Sequence, residues 1–71
     1  MTKDEITKKV ARKIKTARLT RNMTQAELAE KAGLSISFYA GVERAESTPS
    51  VETLAKLAKA LKVKSSDLLP F

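Results

Sequence analysis

Basic side chains are the chemistry this sequence holds in surplus. Fourteen Lys and Arg face eight Asp and Glu, a formal net charge of +6, and the isoelectric point is near 9.9. The surplus sits at one end. Residues 1–21 carry eight bases (Lys3, Lys8, Lys9, Arg12, Lys13, Lys15, Arg18, Arg21) and two acids (Asp4, Glu5), whereas residues 22–71 carry six of each. Ammonium and guanidinium groups gathered in this way suit a polyanionic partner. A charge run is also what an ordinary solvated helix face looks like, so both readings stand for this segment.

Other chemistry is thin. The chain has no His and no Cys, which removes the usual general base, the commonest metal ligand, a thiolate nucleophile and any disulfide. No enzyme is expected, and no cofactor, metal or small-molecule ligand. No apolar run approaches the ~18 residues of a membrane span, and Met1–Val10 has no apolar signal region. A cytoplasmic protein without membrane attachment is expected. At 71 residues one domain, 1–71, is the expectation. Such a domain buries only ~60% of its unfolded surface, so self-association is the remaining staple.

The elements that must position these groups read as helices throughout. Apolar residues recur at three- and four-residue spacing, and two Gly and two Pro leave little turn chemistry for hairpins. Thr2-Lys3-Asp4-Glu5 has the form of a capping box and opens a helix over about 3–21, with Ile6, Val10, Ile14 and Ala17 on one stripe and Asn22 as a left-handed end. A second box, Thr24-Gln25-Ala26-Glu27, opens a helix over 25–32 that closes at Gly33. Ser35 caps a third helix over 36–44, and Ser50 caps a fourth over 51–62, the most clearly amphipathic. A fifth is expected over 65–69. The expectation is an all-α, five-helix domain.

The stretch Gln25–Arg44 is the informative part. Two short helices can cross steeply where a small residue lets them approach (Ala29) and a residue tolerant of positive φ forms the corner (Gly33). Leu28, Leu34 and Val42 then anchor the pair, which is the set a helix-turn-helix needs to project its second helix into a major groove. The segment QAELAEKAGLSISFYAGVER resembles the helix-turn-helix of the lambdoid phage repressor/Cro family, the Xre-type regulators. TARLTRNMTQAELA is similar to that family's junction of helices 1 and 2, and TPSVETLAKLAKALKV to its helix 4, so the resemblance covers roughly residues 10–69. It implies a five-helix domain of the lambda-repressor type that binds double-stranded DNA.

Site residues follow from the resemblance position by position. Thr24 and Gln25 match the start of helix 2, where relatives grip a phosphate, and the free amides and positive dipole end there suit an anion. Arg44, Ser47 and Thr48 match a region that meets the DNA backbone. Ser35, Ile36, Ser37, Phe38, Ala40 and Gly41 match the outward side of the recognition helix, where bases are read. Arg18 and Glu43 match a buried ion pair tying helix 1 to helix 3; without the resemblance they read as two surface charges. Departures are equally specific. Relatives usually place Gln, Arg, Asn or Thr on helix 3, whereas here only Ser35 and Ser37, apart from Tyr39, offer hydrogen bonds, so bidentate base recognition is absent. Tyr39 stands where Val or Ile usually fills the core, Ala45 where Gly usually ends helix 3, and Glu46 where many relatives carry a base.

At the end of the sequence, Asp67-Leu-Leu-Pro-Phe places more apolar surface than one end of a small domain should expose. Leu68, Leu69 and Phe71 are therefore expected to form a two-fold homodimer interface, the alternative being that they cap the monomer's core. The function expected is a sequence-specific transcriptional regulator, repressor or controller, reading a palindromic operator as a dimer. The rival is a protein-interaction module that presents Ile36, Phe38, Tyr39 and Val42 as an apolar helix 3 surface.

Overall fold

Each α-helix in the computed structural model, which describes residues 1–71, starts at a hydroxyl side chain. The helices are α1 (Lys3–Thr20), α2 (Gln25–Ala32), α3 (Ile36–Glu43) and α4 (Val51–Leu61). Thr2, Thr24, Ser35 and Ser50 each accept from the backbone N–H three residues on, at 3.0–3.1 Å, satisfying one of the donors that a helix start leaves unpaired. At Thr2 and Thr24 the box is closed, because Glu5 and Glu27 accept back from the cap's own N–H. Those backbone hydrogen bonds hold both carboxyls below the usual carboxylate range.

The helix ends are equally uniform. Each turns through one residue in the left-handed region: Asn22 (φ 55°), Gly33 (φ 71°), Ala45 (φ 60°) and Lys62 (φ 59°). The residue after it donates its N–H back to a carbonyl five positions earlier: Met23 to Arg18, Leu34 to Ala29, Glu46 to Gly41 and Val63 to Ala58, at 2.8–3.2 Å. This is the Schellman arrangement, which a hydrophobic contact by that following residue completes. Met23, Leu34 and Val63 supply it by packing against the core. Asn22-Met23-Thr24 and Gly33-Leu34-Ser35 are thus the same three-residue joint: a left-handed residue, an apolar lock and the hydroxyl cap of the next helix. The end of α3 departs, because Glu46 replaces the apolar lock and pairs with Arg44 in solvent instead.

Only four α-helices form, so the expected fifth over 65–69 is corrected to a single 3-10 turn, Ser65–Leu68. Pro70 is the cause. Its ring disfavours helical geometry at the residue before it, and Leu69 is extended at φ −78°, ψ 149°.

The core forms where the four helices and this turn converge: Val10 and Ile14 of α1, Leu28, Ala29 and Ala32 of α2, Tyr39 and Val42 of α3, Leu54, Leu57, Ala58 and Leu61 of α4, and Leu68. Leu68 is 1% exposed. It therefore belongs to the core and is withdrawn from the dimer interface; the turn that Pro70 stops points it inward, while Phe71 stays 87% exposed. No helix is long and apolar enough to cross a membrane.

Ala45 is the one left-handed residue whose joint lacks an apolar lock, and its Cβ costs energy that a glycine avoids. Ala45→Gly is expected to stabilise the fold by about 0.5–1 kcal/mol, after the added unfolded-state freedom of Gly is subtracted. That raises Tm by roughly 2–8 °C in thermal melts followed by circular dichroism; a lower Tm would contradict it.

Candidate nucleic-acid interface

The position of α3 is set by one carboxylate. Glu43 accepts from Arg18 Nε at 2.6 Å and Nη2 at 3.1 Å, from Gln25 Nε2 at 3.0 Å and from the Tyr39 hydroxyl. Arg18 spends its remaining terminal nitrogen, Nη1, on the carbonyl of Met23 at 2.8 Å. One group thereby joins the end of α1, the α1–α2 joint, the start of α2 and two turns of α3. The site is nearly dry, with the Glu43 side chain 3% and the Arg18 side chain 10% exposed. Burial pushes the Glu43 carboxyl up, but the hydrogen bonds from Arg18, Tyr39 and Gln25 outweigh it and hold it below the usual carboxylate range. Burial, and then the adjacent carboxylate, push the Tyr39 phenol far above its ordinary value, so it stays a donor. The hydrogen bonds that Arg18 donates to Glu43 raise the pKa of its guanidinium. No buried side-chain nitrogen or oxygen in the chain lacks a partner.

α2 and α3 meet at the Gly33-Leu34-Ser35 joint, with Ala29 fully buried beneath it. Tyr39 and Val42 face the core and leave Ser35, Ile36, Ser37 and Phe38 exposed and Ala40 half-buried. Ile36 is 55% and Phe38 41% exposed, so Phe38 faces outward while Tyr39 is core. Gly41 does not join the outward row. It is buried because the Glu46 carboxylate lies over it, Oε1 standing 3.3 Å from where a Cβ would be; its base-reading assignment is therefore corrected. The Ser35 hydroxyl is engaged as the cap of α3, and Ser37 is the one exposed polar side chain on the α3 surface before Arg44.

The expected phosphate-binding residues divide. Gln25 turns its amide inward to Glu43, and the backbone N–H groups of Gln25 and Ala26 carry no hydrogen bond within the chain. The donors left free at this helix start are therefore backbone N–H groups and not the Gln25 side chain. Thr24 is the cap and stays exposed. Arg44 is exposed and bidentate to Glu46, at 2.9 and 3.0 Å. Ser47 is exposed, and the Thr48 hydroxyl pairs with that of Thr7 on α1. The sequence reading missed the roles of Tyr39, Gln25 and Thr7. A buried phenol four residues before a buried carboxylate was the one available signal. No group of three or more acidic side chains is gathered as a metal site would need.

A Helix-turn-helix family model, HTH_3, matches residues 14–68. The chain belongs to the HTH_3, Xre-type, helix-turn-helix family. This Xre-type chain is 43% identical over 60 residues to the immunity repressor protein of Bacillus phage phi105, a match covering 84% of this chain and 42% of that protein. It is 33% identical over 60 residues to the cryptic phage CTXphi transcriptional repressor RstR of Vibrio cholerae, covering 84% and 54%. The chain spans about half the length of these repressors. Among solved structures it is similar to the restriction-modification controller protein C.AhdI from Aeromonas hydrophila, with a TM-score of 0.86 and 30% identity over 89% of this chain and 96% of that one. The Xre-type family is one of transcriptional regulators.

Glu43 gives this Xre-type fold an acid dependence with a definite sign. Its folded pKa lies below the unfolded value, so its contribution is complete above about pH 4.3 and is lost as pH falls through the lowered folded value. Glu43→Gln is expected to lower stability by about 3 kcal/mol at pH 7, because a buried Arg18 is left unpaired. In urea unfolding across a pH series, the gap to wild type narrows as pH drops below about 4; a gap constant with pH would contradict this.

Proposed function

We propose that residues 1–71 form one cytoplasmic domain that binds double-stranded DNA sequence-specifically and regulates transcription as a homodimer on a palindromic operator. The observation that carries this reading is the outward row of α3, which is free of the core yet fixed in angle by Glu43. Beside it, unpaired N–H groups at the start of α2 suit a backbone phosphate. Helix α3 enters the major groove, and Thr24, the backbone N–H of Gln25, Arg44, Ser47 and Thr48 clamp phosphates. Ser37 hydrogen-bonds a base edge, Ile36 and Phe38 meet thymine methyls, and the rest of the discrimination comes from DNA shape. The similar phage proteins are repressors by name, which favours repression. Leu69 and Phe71 form the two-fold contact, and half-sites then lie ~34 Å apart.

A gel-shift titration with DNA from the chain's own promoter tests this at ~150 mM salt, where specific complexes exceed random ones by 10³-fold or more (on the order of). Ser37→Ala is expected to reduce that preference while leaving the circular dichroism spectrum unchanged. Equal binding to promoter and random DNA would end the specific reading. Phe71→Asp, at a fully exposed position, is expected to lower the sedimenting mass to that of a monomer. An unchanged mass would remove the dimer.

One observation favours a second reading. Ile36 and Phe38 leave α3 with an apolar exposed surface, which also suits a partner protein. Tyr39 and Val42, fully buried, do not contribute to that patch. Retained DNA binding by an Ile36→Ser, Phe38→Ser double variant with loss of a protein partner would support it.

A further inference from the structure

Helix α1 lies beside α3 and carries a basic face along their junction. Lys8, Arg12, Lys15 and Leu19 follow the three- and four-residue spacing of a single helix face, and all are exposed. That face borders the line along which α1 packs on α3. Thr7, Ala11 and Arg18, one step round the helix, are buried. Lys8, Arg12 and Lys15 form one wall of a groove whose other wall is Glu43, Arg44 and Ala45 at the end of α3. The groove holds four cations and one acid, and that acid is already occupied by Arg18, Tyr39 and Gln25. The groove adjoins the proposed interface, sharing Ala45 with the recess at one end and lying next to the start of α2 through Glu43. Gln25, at the start of α2, reaches Glu43 from one side. At the other, Lys3, Asp4 and Thr7 share a recess with Ala45–Thr48.

We infer that Lys8, Arg12 and Lys15, with Arg44, form a phosphate-binding strip that extends the DNA contact from helix-turn-helix onto α1. The occupant is the sugar–phosphate backbone of duplex DNA, chosen by charge and by continuity with the clamp formed by the start of α2 and the α3–α4 loop. Lys9 and Lys13 belong to a different face of α1. They turn away from α3, Lys13 lining a recess with Thr16, Ala17 and Asp67 that Arg12 also borders from the strip side. Of the exposed bases of α1, Lys8, Arg12 and Lys15 therefore touch DNA, whereas Lys9 and Lys13 only steer it. This inference rests on the DNA-binding reading above.

Two variants of equal charge separate contact from steering. Lys8→Gln with Lys15→Gln, and Lys9→Gln with Lys13→Gln, each remove two exposed cations. Binding of each and of wild type to a mixed-sequence duplex three helical turns long is measured by fluorescence anisotropy across a salt series. Each lost phosphate contact lowers the slope of log affinity against log salt by ~0.9. The Lys8/Lys15 variant is expected to lose about 2 from that slope and to bind about tenfold or more weakly at low salt. The Lys9/Lys13 variant is expected to keep the wild-type slope. Equal slopes for the two variants overturn the strip while leaving the helix-turn-helix reading intact. Failure of wild type to bind the duplex brings down both.

Discussion

Glu43 is the constraint on which the rest depends. A carboxylate removed from water is tolerable only if its lone pairs are filled by good donors, and three side chains from three helices fill them here. The same bonds fix where α3 stands relative to α1 and α2. An apolar core of this size would hold the helices together while leaving their angles to packing. The charged network adds direction, because each bond is short-ranged and oriented. Tyr39 serves both ends, filling the core with its ring and the network with its hydroxyl, which explains why an aromatic replaces a smaller apolar residue there.

The fold was legible where chemistry is local. Hydroxyl caps, capping-box glutamates and the Gly33 corner are short-range devices, and their residues appear in order in the sequence. What escaped was decided by context. Residues 65–69 have helix-start chemistry, but Pro70 acts backward on Leu69 and stops the helix after four residues. Leu68 and Phe71 look alike in a terminal apolar run, and only tertiary structure separates a buried side chain from a free one. Gly41 lies on the expected face by periodicity, yet a side chain five residues away closes over it. Gln25 carries the same identity whether it turns out to a phosphate or in to Glu43, so sequence could not assign its direction.

Charge at the interface also reads differently in three dimensions. Between residues 24 and 48 two bases, Lys31 and Arg44, stand against four acids, Glu27, Glu30, Glu43 and Glu46, which suggests a surface hostile to phosphate. Glu43 is paired internally with Arg18, Glu46 is paired with Arg44, and Glu27 is turned back onto its own cap. Each pairing reduces the negative field presented outward, so formal charge overstates the repulsion. The exposed face of α3 is sparse in polar groups rather than negative.

The repeated joint has a kinetic consequence. Asn22-Met23-Thr24 and Gly33-Leu34-Ser35 each stop one helix, lock it to the core and start the next within three residues. The turns of α1 into α2 and of α2 into α3 are therefore specified by neighbours in the chain, and little loop-closure entropy stands against them. Proteins built from such short-range contacts cross their folding barrier quickly. The longer α3–α4 loop, lacking an apolar lock, is the one connection that must be closed by distant contacts. Packing of Leu54, Leu57, Ala58 and Leu61 into the core must offset the closure cost of that loop.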